Sequence, residues 1–410
     1  MLNLSSVVSF GLPNRLAKLL IASIPLGEIT DGGLEQVYST IVWSMSRMFK
    51  GLWPSTDEHD RPWGRYSWRY KKQGQLCGPF RFVIVETLGD MKWIKEAFRL
   101  PHNYNKVECC HHCRATRDLV PETTIASVMS HSTFGGSRTH DEYMAHATAG
   151  GHVAPALTRI DGWHLSTLLP DYMHIIPLGI AQTIVASSML ELCGEGRFGY
   201  IDTRNAKLRI ALQLQTAYCR FFKWARDLGF EHPQPLLKLN AFCAPKADAA
   251  PLSKGKSHNT TVVVCWLSSL HPLHSRPGHD QLRGVLLRSL ARQWRLLHAH
   301  VVWFDAKQRD AFCRDTRRIL LACKALWIEA RLEGVRSWGL KPKHHALFHL
   351  LKRVEQTSRN PASFWCFSDE RFVGDVKMLT PGMKPGRSAA SKRALQRHFI
   401  ATKLRLHRRA

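Results

Sequence analysis

Residues 160–193 read IDGWHLSTLLPDYMHIIPLGIAQTIVASSMLELC, an apolar and aromatic stretch that few polar side chains interrupt. Asp171 stands where its most apolar part begins, and the exposed N–H groups of a helix start favour a carboxylate there. Residues 175–192 also contain a proline, a glutamine and a glutamate, which argue against a membrane span. The stretch therefore predicts a helix buried in the protein core.

This stretch contains two Asp-x-x-His pairs ten residues apart, Asp161 with His164 and Asp171 with His174. An aspartate and a histidine three residues apart share one face of a helix. Helix capping is the competing interpretation of Asp171. With 22 histidines in the chain, about one such pair is expected by chance, so the spacing alone decides little.

Upstream, residues 79–90 read PFRFVIVETLGD and give the clearest strand pattern in the chain. Aromatic and β-branched residues fill the segment, and a proline and a glycine bound it. The predicted strand ends at Asp90 and contains a second acid, Glu86. Helical periodicity dominates the chain elsewhere, so the sequence as a whole predicts a mixed α/β fold.

The segment ECCHHCRATRD, residues 108–118, places Cys110 and Cys113 in a C-x-x-C arrangement. Two thiolates at this spacing supply half of a tetrahedral zinc site. No second C-x-x-C exists to complete it, and His102, His131 and His140 are the histidine candidates. A buried pair of thiols without metal is the alternative.

Two later segments contain further candidate site residues, histidines in the first and acids in the second. KPKHHALFHLL, residues 341–351, brings together His344, His345 and His349, as metal ligands, phosphate donors or core histidines. FWCFSDERFVGD, residues 364–375, places three acids after an aromatic run. These acids are Asp369, Glu370 and Asp375, and a helix start is the competing interpretation.

The whole chain is strongly basic. Its 410 residues carry 58 Lys and Arg against 32 Asp and Glu, a formal charge of +26 with a pI near 10. A polyanionic partner, most simply nucleic acid, is the expected consequence. Residues 376–410 contain no acid, and this basic tail suits phosphate contact or nuclear import. Its predicted nucleic-acid-binding residues are Lys392, Arg393, Arg397, Lys403, Arg405, Arg408 and Arg409.

Cysteine usage and missing motifs narrow the cellular compartment and the ligands that the protein can be expected to have. Eleven scattered cysteines indicate reduced, intracellular thiols rather than a secreted disulfide framework. SKGKSH, residues 253–258, lacks the glycine that a phosphate loop needs, because Ala250 occupies that position. We therefore expect neither a nucleotide cofactor nor a membrane partner.

Taken in order, these segments resemble the catalytic region of eukaryotic cut-and-paste transposases. The order is VIVETLGD, then CHHC, then LPDYMH, then a helical stretch, then PKHHALFHLL and the late acids SDE. The chain is most similar to the CACTA (En/Spm-like) branch, and the resemblance covers about residues 80–375. Each motif is short, and the order of several together gives the resemblance its weight.

The resemblance implies an RNase H-like core that a large all-helical insertion interrupts, with N-terminal helices before it and a basic tail after it. In this sequence Asp90, Asp171 and Glu370 match the acid triad, and His174 matches the signature histidine. Glu86, Asp161 and Asp369 are the respective rivals of the three acids. The implied division begins with an N-terminal helical region at 1–55 and the first part of the core at 56–200, which contains the Cys/His segment at 109–113. The insertion follows at 201–340. The end of the core with the third acid is at 341–380, and the tail is at 381–410.

The implied activity is metal-dependent cleavage and transfer of DNA strands. Three converging carboxylates can hold two Mg²⁺ or Mn²⁺ ions, one activating the attacking oxygen and the other stabilising the leaving oxygen. Zn²⁺ is the second expected metal, at Cys110 and Cys113. The alternative is an inactive, transposase-derived protein that binds nucleic acid. Both versions act on DNA in the nucleus, and a homo-oligomer is compatible with either.

Overall fold

The computed structural model of the chain describes most of its central part. The described residues are 2–5, 18–22, 32–79, 81–104, 106–116, 136–230, 242, 250–253, 255–270, 278–299, 301–378 and 396–397.

Helices make up most of the described structure. In chain order they are α1 (Gly33–Lys50), α2 (Trp68–Lys72), α3 (Met91–Ala97), α4 (His140–Ala147), α5 (Tyr172–Ile175), α6 (Ala181–Gly194), α7 (Ala206–Asp227), α8 (Ser257–Ser269), α9 (His279–Leu297), α10 (Ala306–Leu332), α11 (Pro342–Thr357) and α12 (Phe367–Met378). Short 3-10 turns lie at Ala149–Gly151, Ala156–Arg159, Leu165–Thr167 and Pro361–Phe364, and a π-helical turn at Ile176–Ile180 joins α5 to α6.

The prediction of an α/β fold with an RNase H-like core is wrong. Within the described residues the only sheet is the antiparallel pair β1 (Leu2–Ser5) and β2 (Lys18–Ala22). Both strands fall in the region 1–55 that the sequence predicts to be helical. The fold is built by helix packing, and no central sheet is present among these residues to carry an acid triad.

The segment that predicted the core strand shows why the fold differs. Of residues 81–90, only Thr87 forms a β-bridge, which is parallel and joins it to Leu168. Phe82 and Val83 are more than half exposed. Strand propensity reflects packing on a pleated surface, so an aromatic, β-branched segment stays irregular when no neighbouring strand lies beside it. Phe80 lies outside the described residues.

The stretch around Asp171 forms the centre of the main core, as the sequence predicts. The run Tyr172–Gly194 is long and apolar enough to cross a membrane, yet 78% of its most apolar window is buried inside the protein. Helices α7, α8 and α11 pack around it. Pro177 cannot continue regular helical hydrogen bonding, which accounts for the π-helical turn between α5 and α6.

This turn also fixes the start of α11. The ammonium group of Lys343 donates to the carbonyl of Leu178 at 2.8 Å. A Cβ atom at Gly179 would lie 2.4 Å from Cδ of Lys343 and 2.9 Å from the carbonyl oxygen of His174. Only glycine therefore allows this close approach, which brings the histidines of α11 to the core.

Helices α8 to α11 continue the main core, each packed on its chain neighbour. A buried ionic network ties α9 to α6. Arg283 of α9 is fully buried and donates to Glu191 and Glu195, with Asp280 on its other side. Several carboxylates around one guanidinium compensate the loss of its hydration.

A second, smaller core lies on the N-terminal side. It contains buried apolar residues of α1, α3, α4 and residues 156–168. Phe98 stacks on Trp163 with ring centroids 5.2 Å apart, and the hydroxyl of Tyr143 donates to the carbonyl of Phe98. This cluster holds the end of α1, on which residues 51–79 fold.

Candidate metal centre

Helix α11 supplies the first half of a candidate metal centre. Pro342 begins the helix, where its missing N–H costs nothing, and His345 and His349 follow one turn apart on one face. His345 is 9% exposed and His349 is half-buried. The two Nε2 atoms lie 3.0 Å apart.

The second half is the CHHC loop. The N–H of Cys109 donates to the carbonyl of Ala115 at 3.0 Å, which closes the loop, and the N–H of His112 donates to Sγ of Cys110 at 3.3 Å. Cys113 is fully buried. Backbone N–H donation to sulfur is typical of a loop that holds thiolates.

The two halves meet, so that Cys110, Cys113, His345 and His349 form one cluster with all four ligand atoms within 4.8 Å of one another. Sγ of Cys110 lies 3.3 Å from Nε2 of His349, and Sγ of Cys113 lies 3.1 Å from Nε2 of His345. A tetrahedral zinc ion with its usual bond lengths separates its ligand atoms by roughly 3.3–3.8 Å. The observed separations are a few tenths of an ångström shorter, so small side-chain shifts would accommodate an ion.

The electrostatics of the loop favour thiolate at one of the two sulfurs. Hydrogen bonds from Cys110, and then from the imidazoles of His345 and His349, lower the pKa of Cys113. Burial, followed by the hydrogen bond to Cys113, raises the pKa of Cys110. A bound dication would supply the charge that holds both sulfurs deprotonated.

The prediction of a metal-binding group at Cys110 and Cys113 is confirmed at the level of a Cys/His cluster that can hold a metal such as zinc. Its completion differs from the sequence candidates. His102 pairs with Glu108 at 2.9 Å, and His140 stacks on His164. His131 lies outside the described residues. The completing histidines come instead from α11, 232 to 239 residues further along the chain.

A second polar group lies around Asp171, whose side chain is 2% exposed. Asp171, His174 and Cys366 bring their ligand atoms within 4.8 Å of one another. One carboxylate oxygen accepts from the N–H groups of Met173 and Cys366, at 3.3 and 2.8 Å. The other accepts from the N–H of His174 at 3.0 Å and lies 2.5 Å from its Nδ1.

These contacts make Asp171 the cap of α5, which is the interpretation that competed with catalysis. A carboxylate offers about four lone-pair positions, and four groups already occupy them. His174 keeps the expected pairing with Asp171, and 29% of its side chain is exposed. The arrangement fixes the start of α12 against α5 through Cys366.

The other predicted triad members have different surroundings. Asp90 is exposed and caps α3 by accepting from the N–H of Trp93 at 2.7 Å. Glu370 is exposed in the first turn of α12, one turn beyond Cys366. Glu86, the rival of Asp90, is paired with Arg359. Within the part of the chain that the structure describes, no group with ligand atoms within 4.8 Å unites Asp90, Asp171 and Glu370.

The predicted nucleic-acid-binding residues of the tail fall almost entirely beyond the description. Arg397 is exposed in a single helical turn at residues 396–397. The remaining six lie outside the described residues: Lys392, Arg393, Lys403, Arg405, Arg408 and Arg409.

No protein-family model matches the chain, and a search of curated proteins gives no significant match. The fold and the cluster therefore define the class on their own: a helical protein with a buried Cys/His group that can bind a metal such as zinc.

Proposed function

We propose that the protein is a zinc-containing DNA-binding protein of transposase descent, acting in the nucleus. The observation that carries this proposal is the convergence of Cys110, Cys113, His345 and His349 on one point. Two elements that are distant in sequence meet with four metal-binding atoms, and residues 109–116 have little other regular structure to hold them.

Zinc fits this donor set better than magnesium does. Two thiolates and two imidazoles in a tetrahedral, buried arrangement are typical of a structural zinc site. Magnesium prefers oxygen ligands and retains its waters, so it has no suitable donors here. A site of this kind stabilises the fold rather than performing chemistry, because all four positions belong to the protein.

DNA binding is supported by the charge of the whole molecule. A formal charge of +26 on 410 residues, with an acid-free stretch at 376–410, matches a polyphosphate partner. Each phosphate neutralised by a lysine or arginine releases bound counterions, so the affinity for DNA would fall steeply with salt.

Transposase descent is supported by where the motifs of the resemblance meet. CHHC lies against PKHHALFHLL in the metal centre, and LPDYMH lies against the segment preceding SDE through Asp171 and Cys366. The proposal does not extend to strand cleavage with Mg²⁺ or Mn²⁺. The lone pairs of Asp171 are occupied by hydrogen bonds, which argues against a metal-ligand role.

The metal content of the purified full-length chain tests the proposed centre. We expect one zinc ion per chain in the wild type and none in His349→Ala or Cys113→Ala. Cys77→Ala is the matched control, because Cys77 is exposed and distant in sequence from the cluster, so its loss should leave the zinc content unchanged. A wild type that binds no zinc when refolded with it would refute the metal part of the proposal.

Fluorescence anisotropy with a labelled DNA duplex tests the second part. We expect the logarithm of the affinity to fall linearly with the logarithm of the salt concentration, by about 0.9 for each phosphate contact. Replacing the seven predicted tail residues by glutamine should make the slope shallower without changing the zinc content. Absence of duplex binding by the zinc-loaded wild type at low salt would overturn the proposed function.

A further inference from the structure

A pocket walled by indole rings lies where residues 51–79 fold back on the end of α1. It is about 570 Å³ in volume, within the range of small-molecule sites. Four tryptophans and two arginines dominate its lining, and we call it the tryptophan pocket. These residues are Trp43, Trp53, Trp63, Trp68, Arg47 and Arg69.

The pocket is held by backbone hydrogen bonds rather than by the side chains alone. Gly51 ends α1 with φ 70°, a left-handed conformation that turns the chain back sharply. The N–H of Cys77 then donates to the carbonyl of Gly51 at 2.8 Å, and the N–H of Trp53 donates to the carbonyl of Gln75 at 2.9 Å. The indole N–H of Trp63 donates to the carbonyl of Pro54 at 2.8 Å. The walls are therefore fixed before any ligand arrives.

The rings and cations of the pocket are arranged for stacking. Trp53 and Trp68 meet edge to face, with centroids 5.1 Å apart. The guanidinium of Arg69 lies 4.6 Å from the ring of Trp63 and 5.7 Å from that of Trp68. Planar aromatic and guanidinium surfaces of this kind are the usual partners of unpaired nucleobases.

Positive charge is concentrated in the second half of the segment that forms the pocket, after three acids at 57, 58 and 60. Residues 61–85 contain six Lys and Arg and no acid. Arg61 is paired with Asp57, whereas Arg65, Lys71 and Lys72 form no ion pair within the described residues. Tyr66 is 98% exposed among these cations. Interleaved cations and exposed rings are the pattern of a surface that follows a single-stranded phosphate backbone.

The same features exclude two other ligand classes. A methylated ammonium group favours a cage of aromatic rings, but the two arginines of the lining would repel it. A purely apolar ligand would gain nothing from these arginines and would strip water from them at a cost. Glu58 at the lining is exposed and can accept from the amino group of a base.

We propose that the tryptophan pocket binds an unpaired nucleobase of single-stranded DNA, whose adjacent phosphates contact Arg65, Lys71 and Lys72. This rests on the proposed DNA-binding function and adds a separate preference to it. The basic surface supplies affinity for any DNA, and the pocket supplies affinity only where a base is free to leave its stack.

Anisotropy measurements on the zinc-loaded full-length chain test the proposal with three probes. These are a labelled oligothymidylate, an abasic oligomer of the same length and charge, and a duplex. We expect oligothymidylate to bind about tenfold more tightly than the abasic oligomer, since stacking of one base accounts for a factor of this size. Trp68→Ala should remove this tenfold difference and leave duplex binding unchanged.

Trp303→Ala is the matched control. Trp303 is 58% exposed and lies outside the pocket, whereas Trp68 is 56% exposed and lines it. Phe82→Ala, a second exposed lining position, should reproduce the effect of Trp68→Ala and guards against misfolding of one variant. Equal affinities of the wild type for oligothymidylate and the abasic oligomer would overturn the pocket alone. Failure of the wild type to bind the duplex would instead overturn the proposed function.

Discussion

The carboxylate of Asp171 accepts from three backbone N–H groups and contacts the imidazole of His174. It therefore caps α5 and ties the start of α12 to it. An asparagine in its place keeps only one side-chain oxygen. Its NH₂ group would face backbone N–H groups that need an acceptor. We expect Asp171→Asn to lower the free energy of unfolding by about 1–3 kcal/mol. Urea unfolding followed by circular dichroism measures this.

Asp161→Asn is the control for that prediction. Asp161 belongs to the other Asp-x-x-His pair and is half-buried, and the same isosteric change there should alter stability by less than about 0.5 kcal/mol. If Asp171→Asn were as stable as the wild type, Asp171 would not be the structural cap described above.

Cys193 gives a prediction about alkaline pH. Its thiol is fully buried, and burial raises its pKa from 9.0 to about 12. Above pH 9 the unfolded chain loses this proton while the folded chain keeps it, so the folded state binds more protons. The contribution of Cys193 is thus complete below pH 9 and is lost as the pH rises toward about 12.

Comparison with Cys193→Ala isolates this contribution. The variant carries a constant cavity penalty, so the stability difference from the wild type should shrink above pH 9, by at most about 1.4 kcal/mol per pH unit. Cys219→Ala removes an exposed thiol and should follow the wild type throughout. A constant difference between wild type and Cys193→Ala across this range would contradict the assignment.

At the scale of helices, the contact between α9 and α6 depends on Arg283. Replacing it with methionine keeps the length of the side chain but leaves Glu191, Glu195 and Asp280 without their common partner. We expect Arg283→Met to lower the free energy of unfolding by about 3–5 kcal/mol. Arg288→Met changes an exposed arginine of the same helix and should cost less than about 0.5 kcal/mol. Similar unfolding midpoints for both variants in urea would contradict this.

The buried helical run could be predicted from the sequence, whereas the contacts between helices could not. Apolar periodicity predicts the buried run that begins near Asp171, because a core helix carries its pattern locally. The run at 82–85 predicts a strand, but a strand forms only beside a partner strand, and within residues 81–90 a β-bridge forms at Thr87 alone.

Half of the candidate metal centre could be predicted from the sequence for the same reason. Cys110 and Cys113 have a local spacing that is compatible with a metal site, and so have His345 and His349. The fact that these two pairs share one site depends on packing across more than 230 residues, which no local pattern encodes.

At the scale of the whole molecule, zinc should stabilise the fold. It would bind the folded chain and not the dispersed ligands of the unfolded one, so it would contribute about 4 kcal/mol at free zinc about a thousandfold above Kd. A chelator should therefore lower the thermal unfolding midpoint of the wild type. It should not affect His349→Ala, which lacks a ligand. An unchanged midpoint in the chelated wild type would refute a structural metal.

The separation of the two ligand pairs also orders events during synthesis. Chains emerge from the ribosome N-terminus first, so Cys110 and Cys113 are outside long before α11 has been made. The helices between the two ligand pairs can pack as they are synthesised. The four-residue cluster can form only after residue 349 has left the exit tunnel. A chain that ends before α11 would lack His345 and His349, so its two thiols would be left without the imidazoles that complete the cluster.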